Sequence, residues 1–374
     1  MSGRYKGMAS EDYQALIDCF LELAALSAPS GSEKPVADYI QNYLADLDIT
    51  VYEDNAREST GGNAGNVICR FGTGGEVVFL AHMDTARPTE DLKPVVTADR
   101  IRSDGSTILG ADNRAGVAIL LCALEKAARN PASYRDFTVA FTVCEETTLG
   151  GSRHLALDPA IKMGYAVDSS LRPGHFIHAT YGAQRFAVEV NGKAAHAGLE
   201  PEKGVNAIWA AGKALANLEL GRLNGDVLVN IGSISGGSAV NVVPEKVTLK
   251  GEVRSRDLGH LEETLHTIAK QFEAAATTLK ATVDFQSQWD FKPYLIQPDQ
   301  EVYQRLVSAI ETADLKPVPH LSSGGSDANS LNAKGILAMN LGIGAQNPHA
   351  NDEFILIDDF IHSAQIIDGL VRKP

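Results

Sequence analysis

The chain runs to 374 residues, room for two domains or three with a full core. Hydrophobic residues make up 44% and charged residues 21%, the balance of an ordinary globular protein. Lys and Arg number 33 against 47 Asp and Glu, a net charge of −14, which argues against nucleic acid or an anionic membrane as partner because both call for a basic footprint.

Ser10, followed by Glu11 and Asp12, reads as the start of a helix with Leu16, Ile17, Phe20, Leu21 and Ala24 on one face. Ser32 reads as the cap of a second helix, with Val36, Ile40 and Leu44 turned inward. The opening MSGRYKGMASEDY has no apolar stretch of the secretion-signal type. The longest apolar run, 115–124, is far short of the roughly 20 residues that cross a bilayer. Cys19, Cys69, Cys122 and Cys144 lie scattered in apolar stretches and read as buried free thiols. The expectation is a cytoplasmic protein.

From residue 66 onward, short apolar strands alternate with helices. Segments 66–71, 77–82, 138–146 and 163–170 read as strands, and 115–129 as a buried helix. Strands of continuous Val, Phe and Ala character predict an α/β fold, a mixed and mostly parallel sheet covered by helices. Near residue 180 the pattern changes. Segment 185–192 alternates as a half-exposed antiparallel strand does, and a helix over 206–220 follows. Strands 227–236 and 247–255, a helix over 261–279 and a strand over 281–286 complete a β-α-β-β-α-β order of the ferredoxin-like kind. We expect this α+β domain, 180–292, to be inserted into a domain formed by 1–179 and 293–374. There the α/β pattern resumes with a helix over 300–313, a strand over 336–342 and a last helix from Asp358.

Acidic and imidazole side chains recur at the carboxyl ends of these strands, where open α/β sheets place their ligands. His82 and Asp84 close the strand VVFLAH, a pattern that suits a metal ligand and its orienting carboxylate but is weak taken alone. Asp112, in ILGADNRAGVAILL, stands just before the buried helix and, taken alone, reads more readily as its cap. Glu145 and Glu146 follow a strand directly; two adjacent carboxylates at a buried strand end are costly unless a cation stands beside them. Asp168 ends the strand GYAVDSS, and His349 lies in the loop GIGAQNPHANDEFI. Each of the five could be incidental; the ordered set is not. Imidazole and carboxylate donors without thiolate suit Zn²⁺, with Mn²⁺ or Co²⁺ as substitutes. One bridging carboxylate and two further ligands for each of two ions would use His82, Asp112, Glu146, Asp168 and His349 completely. The spare neighbour, Glu145, is then the natural general base, although sequence alone leaves open which of Glu145 and Glu146 takes which part.

The segments LGADNRAGVA, CEETTLGG, and HAG followed by NVVPE resemble the co-catalytic zinc peptidases of the peptidase T type. That family also holds carboxypeptidase G, succinyl-diaminopimelate desuccinylase and aminoacylases, and the similarity runs through almost the whole chain. The resemblance implies hydrolysis of amide bonds in small peptides by two metal ions per subunit. The principal expectation is a tripeptide aminopeptidase. An N-acyl amino acid deacylase or a carboxypeptidase with the same centre is the alternative, and a non-catalytic metal- or peptide-binding relative the alternative of another class. It implies that His82, Asp112 and Asp168 hold one ion, and Asp112, Glu146 and His349 the other. Asp84 would orient His82, Glu145 would be the base, and the Asp112–Asn113 peptide bond would be cis. His196 resembles a lid histidine that stabilises the oxyanion in a partner subunit's site, which implies a homodimer through the inserted domain. Asn241, Arg254, and Gly324, Gly325 and Asp327 of SSGGSDANS resemble residues that serve substrate binding. Two departures stand out: Ser323 replaces the usual Arg before the Gly pair, and the His349 loop lacks the usual tyrosines.

Overall fold

A computed structural model describes residues 11–373, so the expected cap Ser10 lies outside the described residues. The chain divides into two compact units. One comprises residues up to Ala179, Leu295–Ser322 and Ser326 onward; the other comprises Thr180–Tyr294 and the short segment Ser323–Gly325.

In the first unit a mixed sheet carries the core. Its strands lie in the order Thr50–Glu53, Val67–Phe71, Phe137–Thr142, Val77–His82, Met163–Ser169, Leu337–Gly342 and His175–Thr180. The central ones run parallel: Val77–His82 between Phe137–Thr142 and Met163–Ser169, and Met163–Ser169 beside Leu337–Gly342. Every residue of Val77–His82 and Phe137–Thr142 is buried, which is why these strands read as unbroken apolar runs. Antiparallel strands flank them on both sides.

Helix Ala111–Arg129 packs against this sheet with its apolar residues buried almost all round. Its approach is close at Gly116, where a Cβ would stand 2.2 Å from the Val167 carbonyl oxygen. Only glycine lets the helix lie this near the strand end that carries Asp168. The helix begins earlier than expected, at Ala111, and Asp112 and Asn113 interrupt it with non-helical backbone. The Asp112–Asn113 bond is cis.

Further features of this unit depart from the sequence reading. The strand expected to run to residue 146 ends at Thr142, and Glu145–Thr148 forms a helical turn instead. Cys144 reverses the chain there with φ 53°. In addition, four strands too short to be read from sequence, Pro94–Val96, Arg100–Ser103, Ala345–Gln346 and Phe354–Leu356, form a separate small sheet. The last two bracket the loop that carries His349.

The second unit is a five-stranded antiparallel sheet in the order Gly221–Leu223, Val227–Gly236, Lys246–Ser255, Gly182–Asn191 and Thr282–Phe291. Helices Ala207–Leu215 and Leu258–Leu279 cover one face, and Val188, Val190, Leu249, Val253, Leu265 and Phe272 close the core between them. The helix expected over 206–220 stops at Leu215. Burial alternates along Gly182–Asn191, one face packed and the other open. No helix among the described residues is long and apolar enough to cross a membrane.

Candidate metal centre

The five expected ligands come together at the carboxyl ends of the parallel strands. His82 ends its strand 2% exposed, with Nε2 3.1 Å from Asp112 Oδ1 and 3.2 Å from Asp168 Oδ1. His349, the more exposed imidazole, places Nε2 3.3 Å from Asp112 Oδ2 and 2.9 Å from Glu146 Oε1. Asp112 therefore offers one oxygen to each imidazole. Donor atoms of His82, Asp112 and Glu146 all lie within 4.8 Å of one another.

Asp84 is fully buried, its Oδ1 3.3 Å from His82 Nδ1. The same carboxylate accepts the Ser30 hydroxyl at 2.6 Å and the backbone N–H groups of Glu145 and Glu146 at 3.1 Å each. It thus fixes the imidazole and the acidic turn together, which explains why the chain curls rather than running on as a strand.

The charge balance is lopsided. Around two imidazoles stand the carboxylates of Asp84, Asp112, Asp168, Glu145 and Glu146. Burial would depress His82, but Asp112, Asp168 and Asp84 hold it well above the usual histidine range. Asp112 and Glu146 push His349 up to about 10. Asp112 would rise with burial, yet His349 and His82 keep it well below the carboxylate range. Burial raises Glu145, Glu146 and Asp168, each against a neighbouring imidazole that lowers it. Glu146 Oε1 is also a buried acceptor that receives no aligned hydrogen bond among the described residues.

An excess of carboxylates drawn together, Asp84 buried and the others partly so, with a Glu146 oxygen that receives no aligned hydrogen bond, is the arrangement that a cation completes. Nitrogen and oxygen donors are the borderline-to-hard set that divalent first-row metals take. Cys144 is not part of it, because its Sγ turns to Glu33 Oε1 at 3.4 Å. The residues present fit metal ions.

Sequence reasoning missed the layer behind the expected ligands. Asn340 Nδ2 lies 3.4 Å from Asp168 Oδ2, and its Oδ1 accepts the Ser169 N–H at 3.0 Å. Glu33, fully buried, accepts the N–H groups of Gly31 at 2.8 Å and Cys144 at 2.9 Å. Glu353, equally buried, accepts those of Gly110 and Asp112. Glu33 and Glu353 lie in irregular segments and Asn340 stands as a lone polar residue in the apolar strand Leu337–Gly342, so no periodicity marks them; only their contacts do.

Asp327, expected among the substrate contacts, is 2% exposed. Its carboxylate accepts the Thr142 hydroxyl from the end of strand Phe137–Thr142. Burial pushes it up to about 6.

In the second unit, His196 and Asn241 are exposed and brought side by side. His196 bridges to Val242, and the Ala197 N–H donates to the Asn241 carbonyl at 2.9 Å. Arg254 is engaged rather than free. Its Nε and Nη2 donate to Glu252 at 3.2 and 3.0 Å, and Nη1 donates to the Ser323 carbonyl at 2.7 Å. Beside that contact, a Cβ at Gly325 would meet the Phe291 ring at 2.5 Å, so a larger residue does not fit.

Comparison with known proteins places this geometry. Residues 178–279 match a peptidase dimerisation domain, and residues 98–183 match the M42 glutamyl aminopeptidase model. The uncharacterized protein YqjE of Bacillus subtilis is 31% identical over 364 residues, covering 96% of this chain and 98% of its own. The crystal structure of the aminopeptidase PepT of Bacillus cereus superposes with a TM-score of 0.88 at 31% identity, covering 98% of this chain and 99% of that one. A tripeptidase of Staphylococcus aureus gives 0.89 at 29% identity, with 98% of both chains covered.

Proposed function

The chain belongs to the M20 metallopeptidase family, in its peptidase T-like branch, and from that premise we propose how its residues divide the work. The protein is a hydrolase of peptide bonds, a metal-dependent aminopeptidase of the tripeptide-cleaving kind. Two ions per subunit, zinc with manganese or cobalt as substitutes, is our reading of the centre. His82, Asp112 and Asp168 would hold one; Asp112, Glu146 and His349 would hold the other. The observation that carries this reading is the division of Asp112, with Oδ1 toward His82 and Oδ2 toward His349.

When bound, the ions supply a more acidic water and a polarised scissile carbonyl. Glu145, next in the chain to a ligand, takes the proton of the attacking water and returns it to the leaving amine. Asp84 holds the His82 imidazole and the Glu145 backbone in one frame. In a homodimer formed through the unit of residues 180–292, His196 of a second copy would donate to the tetrahedral oxyanion. The match to a dimerisation domain over 178–279 supports this. We assign Asn241, Gly324, Gly325 and Arg254 to substrate. For Arg254 to grip a peptide carboxylate, that carboxylate must displace Glu252, which occupies the same edge of the guanidinium. A cytoplasmic location belongs to the same proposal.

The deciding experiment is hydrolysis of a panel by the protein loaded with Zn²⁺, Mn²⁺ or Co²⁺. Tripeptides with a free amino terminus should be cleaved after the first residue. Preference for N-acyl amino acids would make it a deacylase, and cleavage from the other end a carboxypeptidase. Binding without turnover of any member would leave a non-catalytic relative.

A further inference from the structure

We propose that Glu353 is a positioning residue that sets the separation of Asp112 and His349 by clamping the loop of one to the loop of the other. Both its oxygens are spent on the Asp112 segment: Oε2 accepts the Gly110 N–H at 2.7 Å and Oε1 the Asp112 N–H at 2.9 Å. Gly110 has φ 74°, a backbone region that glycine enters freely. With the chain turned there, the N–H groups of Gly110 and Asp112, two residues apart, converge on a single carboxylate.

Glu353 itself lies just past His349, between the short strands Ala345–Gln346 and Phe354–Leu356. The rest of that loop is tied in another direction. Asn351 accepts Ser103 Oγ through its carbonyl at 3.1 Å, donates to the Gly105 carbonyl at 3.0 Å, and takes Arg87 Nη1 on Oδ1 at 2.8 Å. Glu353 is thus the side chain that joins the loop to the backbone of Asp112, while the side chains of Asp112 and His349 meet at 3.3 Å.

The residue type follows from the task. Glu353 is 0% exposed, and a buried carboxylate is an expensive anchor. An amide of the same size is cheaper to bury but has one acceptor oxygen, so its NH₂ would face one of the two N–H donors. Only a carboxylate satisfies both. An aspartate keeps both acceptors on a shorter stem, which draws the loops together rather than releasing them.

This inference rests on the two-ion reading of the centre, and the experiment separates their failures. Calorimetric Zn²⁺ binding is measured on metal-free wild type, Glu353→Gln, Glu353→Asp and His349→Ala, with the thermal midpoint of each metal-free protein recorded alongside. His349→Ala marks which binding step belongs to the ion held by Asp112, Glu146 and His349. Glu353→Gln should weaken that same step about tenfold or more while leaving the other within about threefold. The metal-free midpoint should move little, and Glu353→Asp should restore part of the lost affinity. Equal weakening of both steps together with a lowered midpoint would reduce Glu353 to a structural anchor and overturn the proposal, as would unchanged binding. If Glu353→Gln does not fold, Glu353→Asp decides, because a shortened clamp must still alter the His349 step selectively. A wild type that takes up fewer than two ions overturns the two-ion reading itself, and this inference with it.

Discussion

Asp84 and His82 are locked to each other at the end of one strand, with Asp84 Oδ1 3.3 Å from His82 Nδ1. Because the same carboxylate also accepts the Glu145 and Glu146 N–H groups, a change at Asp84 disturbs two of the proposed ligands, His82 and Glu146, and the proposed base Glu145 at once. Asp84→Asn should therefore lower metal affinity by about 10–100-fold, the range typical of residues that orient a ligating histidine. Equilibrium dialysis with elemental analysis measures this, and wild-type metal retention in the variant would refute it.

Glu145→Gln should keep its full metal content and lose hydrolysis by a factor of about 10²–10⁴, the usual contribution of a positioned general base. Kinetics on a tripeptide beside metal analysis of the same preparation gives the answer. Glu146→Gln, by contrast, should lose metal together with activity.

Removing the ions should cost stability as well as turnover. Without cations the partly buried carboxylates of Asp112, Asp168, Glu145 and Glu146 stand close to one another, and ligand binding to the native state alone stabilises it by mass action. Dialysis against a chelator should lower the thermal midpoint, and Zn²⁺, Mn²⁺ or Co²⁺ should restore it in a concentration-dependent way. A midpoint indifferent to chelator would contradict the centre.

Asp327 gives the metal-free protein a pH dependence of known sign. Burial raises its folded-state value to about 6, above that of the unfolded chain, so the group's stability contribution is complete below about pH 4 and is lost as pH rises through about 6. This group's contribution should fall over that window by on the order of 2–3 kcal/mol. Asp327→Asn, which can still accept the Thr142 hydroxyl, should flatten the fall. Urea melts of both proteins from pH 4 to pH 8 test it, and parallel curves would reject it.

Gly116→Ala should be among the most damaging small substitutions. The added methyl would stand 2.2 Å from the Val167 carbonyl oxygen and 2.3 Å from Asn113 Oδ1, so helix or strand must shift. Overpacking of this kind costs about 3 kcal/mol. Since Asp112 and Asp168 sit on the two elements forced apart, the loss of stability should come with loss of metal.

The sequence exposed the parts of this molecule that obey a period or a strand-end rule. His82 and Asp168 were legible because unbroken apolar runs precede them, and Gly182–Asn191 because it alternates. Asp112 was ambiguous with a helix cap for a physical reason: it does stand at a helix start, and its ligand geometry arises from backbone that departs from the helix there. The turn at Glu145 was read as strand because Cys144 looks like any apolar strand residue; its left-handed backbone and the N–H groups gathered by Asp84 and Glu33 are tertiary events. Asn340, Glu33 and Glu353 were invisible for the same reason. A buried polar residue is distinguished from an exposed one only by what surrounds it.

The order of the ligands along the chain also has a consequence for biosynthesis. Arg87, near the first ligand, meets Asn351, near the last, across 264 positions. Between Asp168 and His349 the whole antiparallel unit must leave the ribosome, at about 5–20 residues per second. On the proposed ligand set, the nascent protein therefore carries His82, Asp112, Glu146 and Asp168 through most of translation without His349, and the ion assigned to Asp112, Glu146 and His349 can be seated only once residue 349 has emerged.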